Sequence, residues 1–81
     1  MSGSKIETTM GFCVVALTKY LMEAYGKSQD EAYKQLMRME LYGLLMDEDT
    51  RLFLEPNDYL CECCRIECEN GAEDLYKYIN Q

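Results

Sequence analysis

Residues 10–31 read MGFCVVALTKYLMEAYGKSQDE, and this stretch decides the fold class because it holds the end of one helix signal and the start of another. Apolar residues ahead of Gly26 recur at steps of three and four, which is the spacing of one helix face. They are Ile6, Met10, Cys13, Leu17, Tyr20, Leu21 and Ala24. Gly26 suits a helix C-terminus, and Ser4 with Glu7 fits a capping box at the N-terminus. The pattern predicts a helix over residues 5–25.

A second helix signal follows at once. Ser28 and Glu31 have the spacing of a second capping box, because Glu31 stands at the third helical position. Ala32, Tyr33, Leu36 and Met37 then form an apolar stripe. The pattern predicts a helix over residues 29–41, with Gly43 as its stop.

The second half of the chain predicts two more helices. Pro56 suits a first helical turn, and Leu60, Cys61, Cys64 and Cys68 then share a face over residues 57–69. Gly71 opens a short terminal helix over residues 72–79. We interpret residues 44–56 as an ordered connector whose conformation the sequence leaves open. The prediction is an all-α protein, a compact bundle of about four helices in one domain over residues 1–81, with residues 1–4 disordered.

Composition limits the function. The chain has 81 residues, no His and a net charge of -7, so it lacks the usual general base and repels phosphate backbones. We therefore expect no enzyme, no cofactor and no nucleic-acid partner. The apolar run over residues 10–17 is too short for the ~20 residues that cross a bilayer, and no signal peptide is evident. We expect a cytoplasmic protein that binds no membrane.

The sequence YLCECCRIEC, residues 59–68, is the one chemical motif. Cys61, Cys64 and Cys68 lie on one stripe of the helix, whereas Cys63 is turned about 130° from it at ~100° per residue. Small apolar packing is the ordinary role of free cysteine, and it predicts that the stripe is buried and that Cys63 is the more accessible thiol. The alternative is a metal-binding or thiol-switch protein, with Cys13, Cys61, Cys64 and Cys68 as the ligands.

The first predicted helix has a second apolar face. Residues 10–17 contain no charge, so side chains that a surface helix would leave polar are apolar here. Tyr and Met content adds adaptable apolar surface, and a binding groove is one reading of it. The candidate interface residues are Phe12, Val14, Val15, Met22, Met39 and Tyr42. We expect this surface to bind another chain, and we expect a homodimer.

From about residue 12 to residue 79 the layout resembles small uncharacterised bacterial helical proteins whose genes often lie near ADP-ribosyltransferase-like toxins. The resemblance is carried by the apolar first helix, by GKSQDEAYKQL at residues 26–36 and by GAEDLYKYI at residues 71–79. The segment MDEDTRLFLEP and the cysteine cluster depart from that pattern. The resemblance implies an accessory or antitoxin-like role in partner binding, with no catalytic residues. The leading hypothesis is therefore a non-enzymatic protein-interaction module with a protein partner of unknown identity.

Overall fold

The computed structural model describes residues 2–81, with side chains from Lys5 onward. It contains the helices α1 (Ser2–Tyr25), α2 (Gln29–Arg38), α3 (Glu40–Met46), α4 (Asn57–Asn70) and α5 (Ala72–Ile79), and the 3-10 turns η1 (Glu48–Thr50) and η2 (Leu52–Leu54). No strand occurs within residues 2–81, so the all-α prediction is confirmed. Over the same residues, no helix is both long enough and apolar enough to span a membrane.

Several helix boundaries agree with the sequence prediction. Helix α5 begins and ends where expected, and α4 extends one residue further. The Ser28 capping box is present, since the Glu31 backbone N–H donates to Ser28 Oγ at 3.2 Å and the Ser28 N–H donates to Glu31 Oε1 at 3.1 Å. Gly26 follows α1 with a φ of 66°, a conformation that glycine adopts without strain.

The beginning of α1 differs from the prediction. The helix begins at Ser2, ahead of the expected start at Lys5. Ser4 is therefore within the helix, although its side chain, and with it the predicted Ser4 capping box, lies outside the described part of the chain. The disorder predicted for residues 1–4 falls partly on Met1, which also lies outside the described residues.

The prediction of one helix over residues 29–41 is wrong. Met39 is extended, with φ -82° and ψ 150°, and it separates α2 from α3. The cause lies on α4, where the Glu67 carboxylate accepts hydrogen bonds from the backbone N–H groups of Glu40 at 2.8 Å and Leu41 at 2.9 Å. A distant carboxylate thus satisfies the first N–H groups of α3, which a local cap satisfies in most helices.

The new helix α3 also changes the role of Gly43. The residue was expected to stop a helix, but it lies inside α3, and the chain leaves helical conformation only after Met46. The Tyr76 hydroxyl on α5 donates to the Glu40 carboxylate at 2.8 Å. Side chains of α4 and α5 therefore hold the beginning of α3.

One core of leucines joins the helices. Those that are fully buried are Leu17, Leu21, Leu36, Leu41, Leu45, Leu60 and Leu75. Helix α1 packs against α2, α3, α4 and η2, while α5 folds back along α4. The connector is ordered, because Leu52 and Phe53 are buried and the Thr50 hydroxyl donates to the Leu44 carbonyl at 2.6 Å. This arrangement leaves one side of α1 open to solvent.

Candidate functional site

An apolar groove runs along α1 where it meets α2 and α3. Its larger part has a volume of about 500 Å³ and is lined by Val14, Val15, Thr18, Lys19, Met22, Gln29 and Tyr33. Its smaller part has a volume of about 300 Å³ and is lined by Glu7, Met10, Gly11, Val14, Tyr33, Tyr42 and Met46. Because Val14 and Tyr33 line both parts, we treat them as one surface, the α1–α2 groove.

The wall of the groove is apolar because of how α1 uses its residues. Gly11 has no side chain, and a Cβ built there would meet nothing within 4 Å. The Thr18 hydroxyl donates to the Val14 carbonyl at 2.7 Å, so its one hydrogen-bond donor is used within the helix. The middle of the groove therefore offers apolar surface to a ligand.

Each part of the groove contains one charged side chain. Lys19 lines the larger part and Glu7 lines the smaller part. The two residues are separated by about 18 Å along α1 at 1.5 Å per residue, which is the length of about three helical turns. The groove thus has a cation in its larger part and an anion in its smaller part.

The groove contains four of the six interface residues that the sequence indicated. Val14, Val15, Met22 and Tyr42 line it. Phe12 lies outside it on the open face of α1, where its side chain is 70% exposed. Met39 is also outside, partly buried against the core at the break between α2 and α3.

Tyr33 is one of the groove residues that the sequence did not indicate as interface residues. It was assigned to the apolar stripe of its helix, but it is 41% exposed and lines both parts of the groove. Ala32 and Leu36 supply the buried face of α2. The available signal was that Tyr33 and Met37 stand one residue after these two positions and form a second apolar row.

The cysteine cluster is arranged differently from the prediction. Cys63 is fully buried, as is Cys64, whereas Cys61 and Cys68 are partly exposed. The expectation that Cys63 is the accessible thiol is therefore wrong. Cys63 lies one turn after Tyr59, whose ring stacks on that of Tyr78 in α5 at 5.3 Å, so α5 covers this side of α4.

Burial controls the chemistry of the thiols. It raises the pKa of all five, and it raises that of Cys63 to about 11. A protonated thiol is a poor nucleophile and must lose its proton to bind a metal. The chain provides hydrogen-bond partners instead, since Cys13 Sγ donates to the Phe53 carbonyl at 3.5 Å and Gln35 Nε2 donates to Cys68 Sγ at 3.4 Å.

The four cysteines of the alternative interpretation do not form a recognisable metal centre. In the described part of the chain, no three Cys, His, Asp or Glu side chains are arranged to hold a metal ion. Cys61, Cys64 and Cys68 share α4, and Cys13 stands on α1 beside η2. The α1–α2 groove is therefore the candidate site that we develop further.

Comparison of the chain with protein-family models, with curated proteins and with solved structures finds no match in any of the three.

Proposed function

We propose that the protein is a non-enzymatic protein-interaction module that binds an amphipathic helix of a partner protein in the α1–α2 groove. The observation that supports this most is the continuous apolar wall formed by Val14, Met22 and the half-exposed Tyr33. Amphipathic helices bind proteins by placing apolar residues at helical spacing into such grooves. Met and Tyr suit this role, because Met adapts its shape and Tyr loses little entropy on binding.

The two charged residues of the groove specify the chemistry of the partner helix. Lys19 favours an acidic residue on the partner, and Glu7 favours a basic residue about three turns away. Apolar partner residues between them would contact Val14 and Tyr33. Charge of this kind fixes the direction of a bound helix more than it adds affinity.

The wider role in this proposal is that of an accessory or antitoxin-like protein in the cytoplasm. It is supported by the resemblance to small bacterial helical proteins and by the five unpaired cysteines, since cytoplasmic thiols stay reduced. The absence of His from the sequence supports a role without catalysis. The net charge of -7 disfavours nucleic acid as the partner.

A comparative capture experiment tests the proposal. The protein and its Tyr33→Ala and Leu54→Ala variants are used as bait in a lysate of cells that express it naturally, and captured proteins are quantified by mass spectrometry. Leu54 is the control, because its side chain is 65% exposed but lies outside the groove. We expect one protein whose capture falls about tenfold with Tyr33→Ala, a loss of ~1.4 kcal/mol, and stays unchanged with Leu54→Ala.

The captured protein is then tested directly. A synthetic peptide of its amphipathic helix should bind the wild type in a fluorescence-anisotropy titration and should bind Tyr33→Ala more weakly by the same factor. Equal capture by all three baits would contradict the proposal, as would a captured protein that binds through a segment with no helix.

A further inference from the structure

The open face of α1 carries a second apolar feature that the groove does not include. Six residues follow one another at alternating steps of four and three, which is the spacing of a helix-pairing seam. They are Lys5, Thr9, Phe12, Ala16, Lys19 and Glu23. We call this row the α1 seam. At its centre Phe12 is 70% exposed, and Ala16 beside it is only partly buried.

The α1 seam is complementary to itself when one copy is reversed. Two antiparallel seams place Lys5 opposite Glu23, Thr9 opposite Lys19 and Phe12 opposite Ala16, and each pair occurs twice about a twofold axis. The central pair sets a large side chain against a small one, which lets two helices approach closely. The outermost pair joins opposite charges.

The polar members of the seam are available for these contacts. Within residues 2–81, neither Lys5 nor Glu23 forms an ion pair. The Thr9 hydroxyl donates to the Lys5 carbonyl at 2.9 Å, and its oxygen can still accept a hydrogen bond from Lys19 of a second copy. A parallel arrangement would instead place Lys5 against Lys5 and Glu23 against Glu23.

The charge of the whole chain also directs a second copy to this face. Helix α1 carries two basic residues, Lys5 and Lys19, and two acidic residues, Glu7 and Glu23, so the entire net charge of -7 lies outside it. Two acidic molecules repel each other least where each presents its neutral helix. The seam is thus the face that a second copy approaches at the lowest electrostatic cost.

We propose that the protein forms an antiparallel homodimer through the α1 seam. The inference rests on the proposed function for one premise, that exposed apolar side chains of α1 bind protein. It uses a different surface, because Lys19 is the one residue that the seam shares with the α1–α2 groove. Since a single helix pair buries less than the ~1,200 Å² of a standard interface, we expect a weak dimer with a Kd on the order of 100 μM.

Sedimentation equilibrium over a wide concentration range tests for the dimer. We expect the wild type to move from monomer to dimer, and Phe12→Asp to weaken association at least tenfold, because a carboxylate would then face Ala16 of the second copy. Leu54→Asp is the matched control, since Leu54 is 65% exposed and lies outside the seam. It should associate like the wild type.

Charge reversal tests the antiparallel register. Lys5→Glu and Glu23→Lys should each weaken the dimer about threefold to tenfold, since each change creates two like-charge pairs. The double variant Lys5→Glu/Glu23→Lys restores opposite charges in the antiparallel register and should recover wild-type association. A parallel dimer already pairs like charges at both positions, so neither single variant would associate more weakly than the wild type.

The outcomes separate this inference from the proposed function. A wild type that stays monomeric at millimolar concentration, an unaffected Phe12→Asp variant or a double variant without recovery would each overturn the dimer. The same Phe12→Asp protein used as bait should still capture the groove partner. A dimer that forms while no partner binds the groove would overturn the proposed function alone.

Discussion

Helices α4 and α1 are both apolar on more than one side, but only α4 has another helix of the chain packed along each of these sides. Cys63 and Cys64 stand on different sides of α4 and both are fully buried, whereas Phe12 and Val15 on α1 are 70% and 63% exposed. Helix α4 packs on α1, and the turn at Gly71 lays α5 along it. No element within residues 2–81 covers the open face of α1. A second apolar face is therefore buried within the molecule only where another helix lies along it.

The largest expected effect comes from placing a carboxylate on the covered side of α4, and the same change on the open face of α1 is the comparison. Cys63→Asp should lower the free energy of unfolding by about 3 kcal/mol or more, because it places an unpaired carboxylate in a fully buried position. Phe12→Asp should change it by less than about 0.5 kcal/mol, as exposed substitutions do. Urea unfolding followed by circular dichroism at micromolar concentration measures both. Similar losses for the two variants would mean that the faces do not differ as described.

A smaller effect is expected at the contact that joins α4 to α3. Glu67→Ala removes the acceptor for the Glu40 and Leu41 N–H groups and should lower the free energy of unfolding by about 1–2 kcal/mol, the usual range for losing a helix cap. Glu73→Ala is the control, since the Glu73 carboxylate forms an exposed ion pair with Lys77 at 3.9 Å. Its loss should change the free energy of unfolding by less than about 0.5 kcal/mol. The same urea unfolding experiment compares the two variants. A Glu67→Ala protein as stable as Glu73→Ala would show that α3 does not depend on this cap.

The burial of Cys63 on the covered side of α4 should make the stability of the protein depend on pH. Burial raises the pKa of Cys63 from its ordinary value of 9.0 to about 11. Well below pH 9 the Cys63 thiol is protonated in both the folded and the unfolded state. As the pH rises through 9 the unfolded chain loses this proton first, so the free energy of unfolding falls until the pH reaches about 11. Cys63→Ala lacks this loss, and the difference in unfolding free energy between wild type and variant should shrink by about 1 kcal/mol from pH 8 to pH 10. A difference that stays constant would place Cys63 in contact with water.

These comparisons also show which parts of the structure the sequence can predict. The Ser28 capping box and the Gly26 terminus depend on residues a few positions apart, and both are present as expected. The break at Met39 depends on Glu67, which approaches only after α4 has packed against α3. No local pattern around Met39 contains that information.

The candidate site residues also divide into those that a local sequence pattern indicates and those that depend on tertiary packing. Val14 and Met22 are predicted interface residues because a helix that is apolar on extra sides contains more apolar residues than one core needs, and both line the α1–α2 groove. Cys63 was misjudged because the buried arc of α4 is rotated by about a third of a turn from the cysteine stripe at ~100° per residue. That rotation follows from where α5 lies. Sequence periodicity identifies a face of a helix, and tertiary packing decides what covers it.

The smallest expected effect comes from one added methyl group in α1 and one in α3. Gly11 and Gly43 are both inside helices, and a Cβ built at either meets nothing within 4 Å. Gly11→Ala and Gly43→Ala should therefore each raise the free energy of unfolding by about 0.5–1 kcal/mol, because alanine loses less backbone entropy in a helix than glycine does. Their effects on binding should differ, since Gly11 lines the α1–α2 groove and Gly43 does not. We expect only Gly11→Ala to lower the affinity for the groove partner's helical peptide in anisotropy titrations. The added methyl group would occupy space that the bound helix would fill. Unchanged affinity in both variants would place the partner away from the smaller part of the groove, beside Met22 and Lys19.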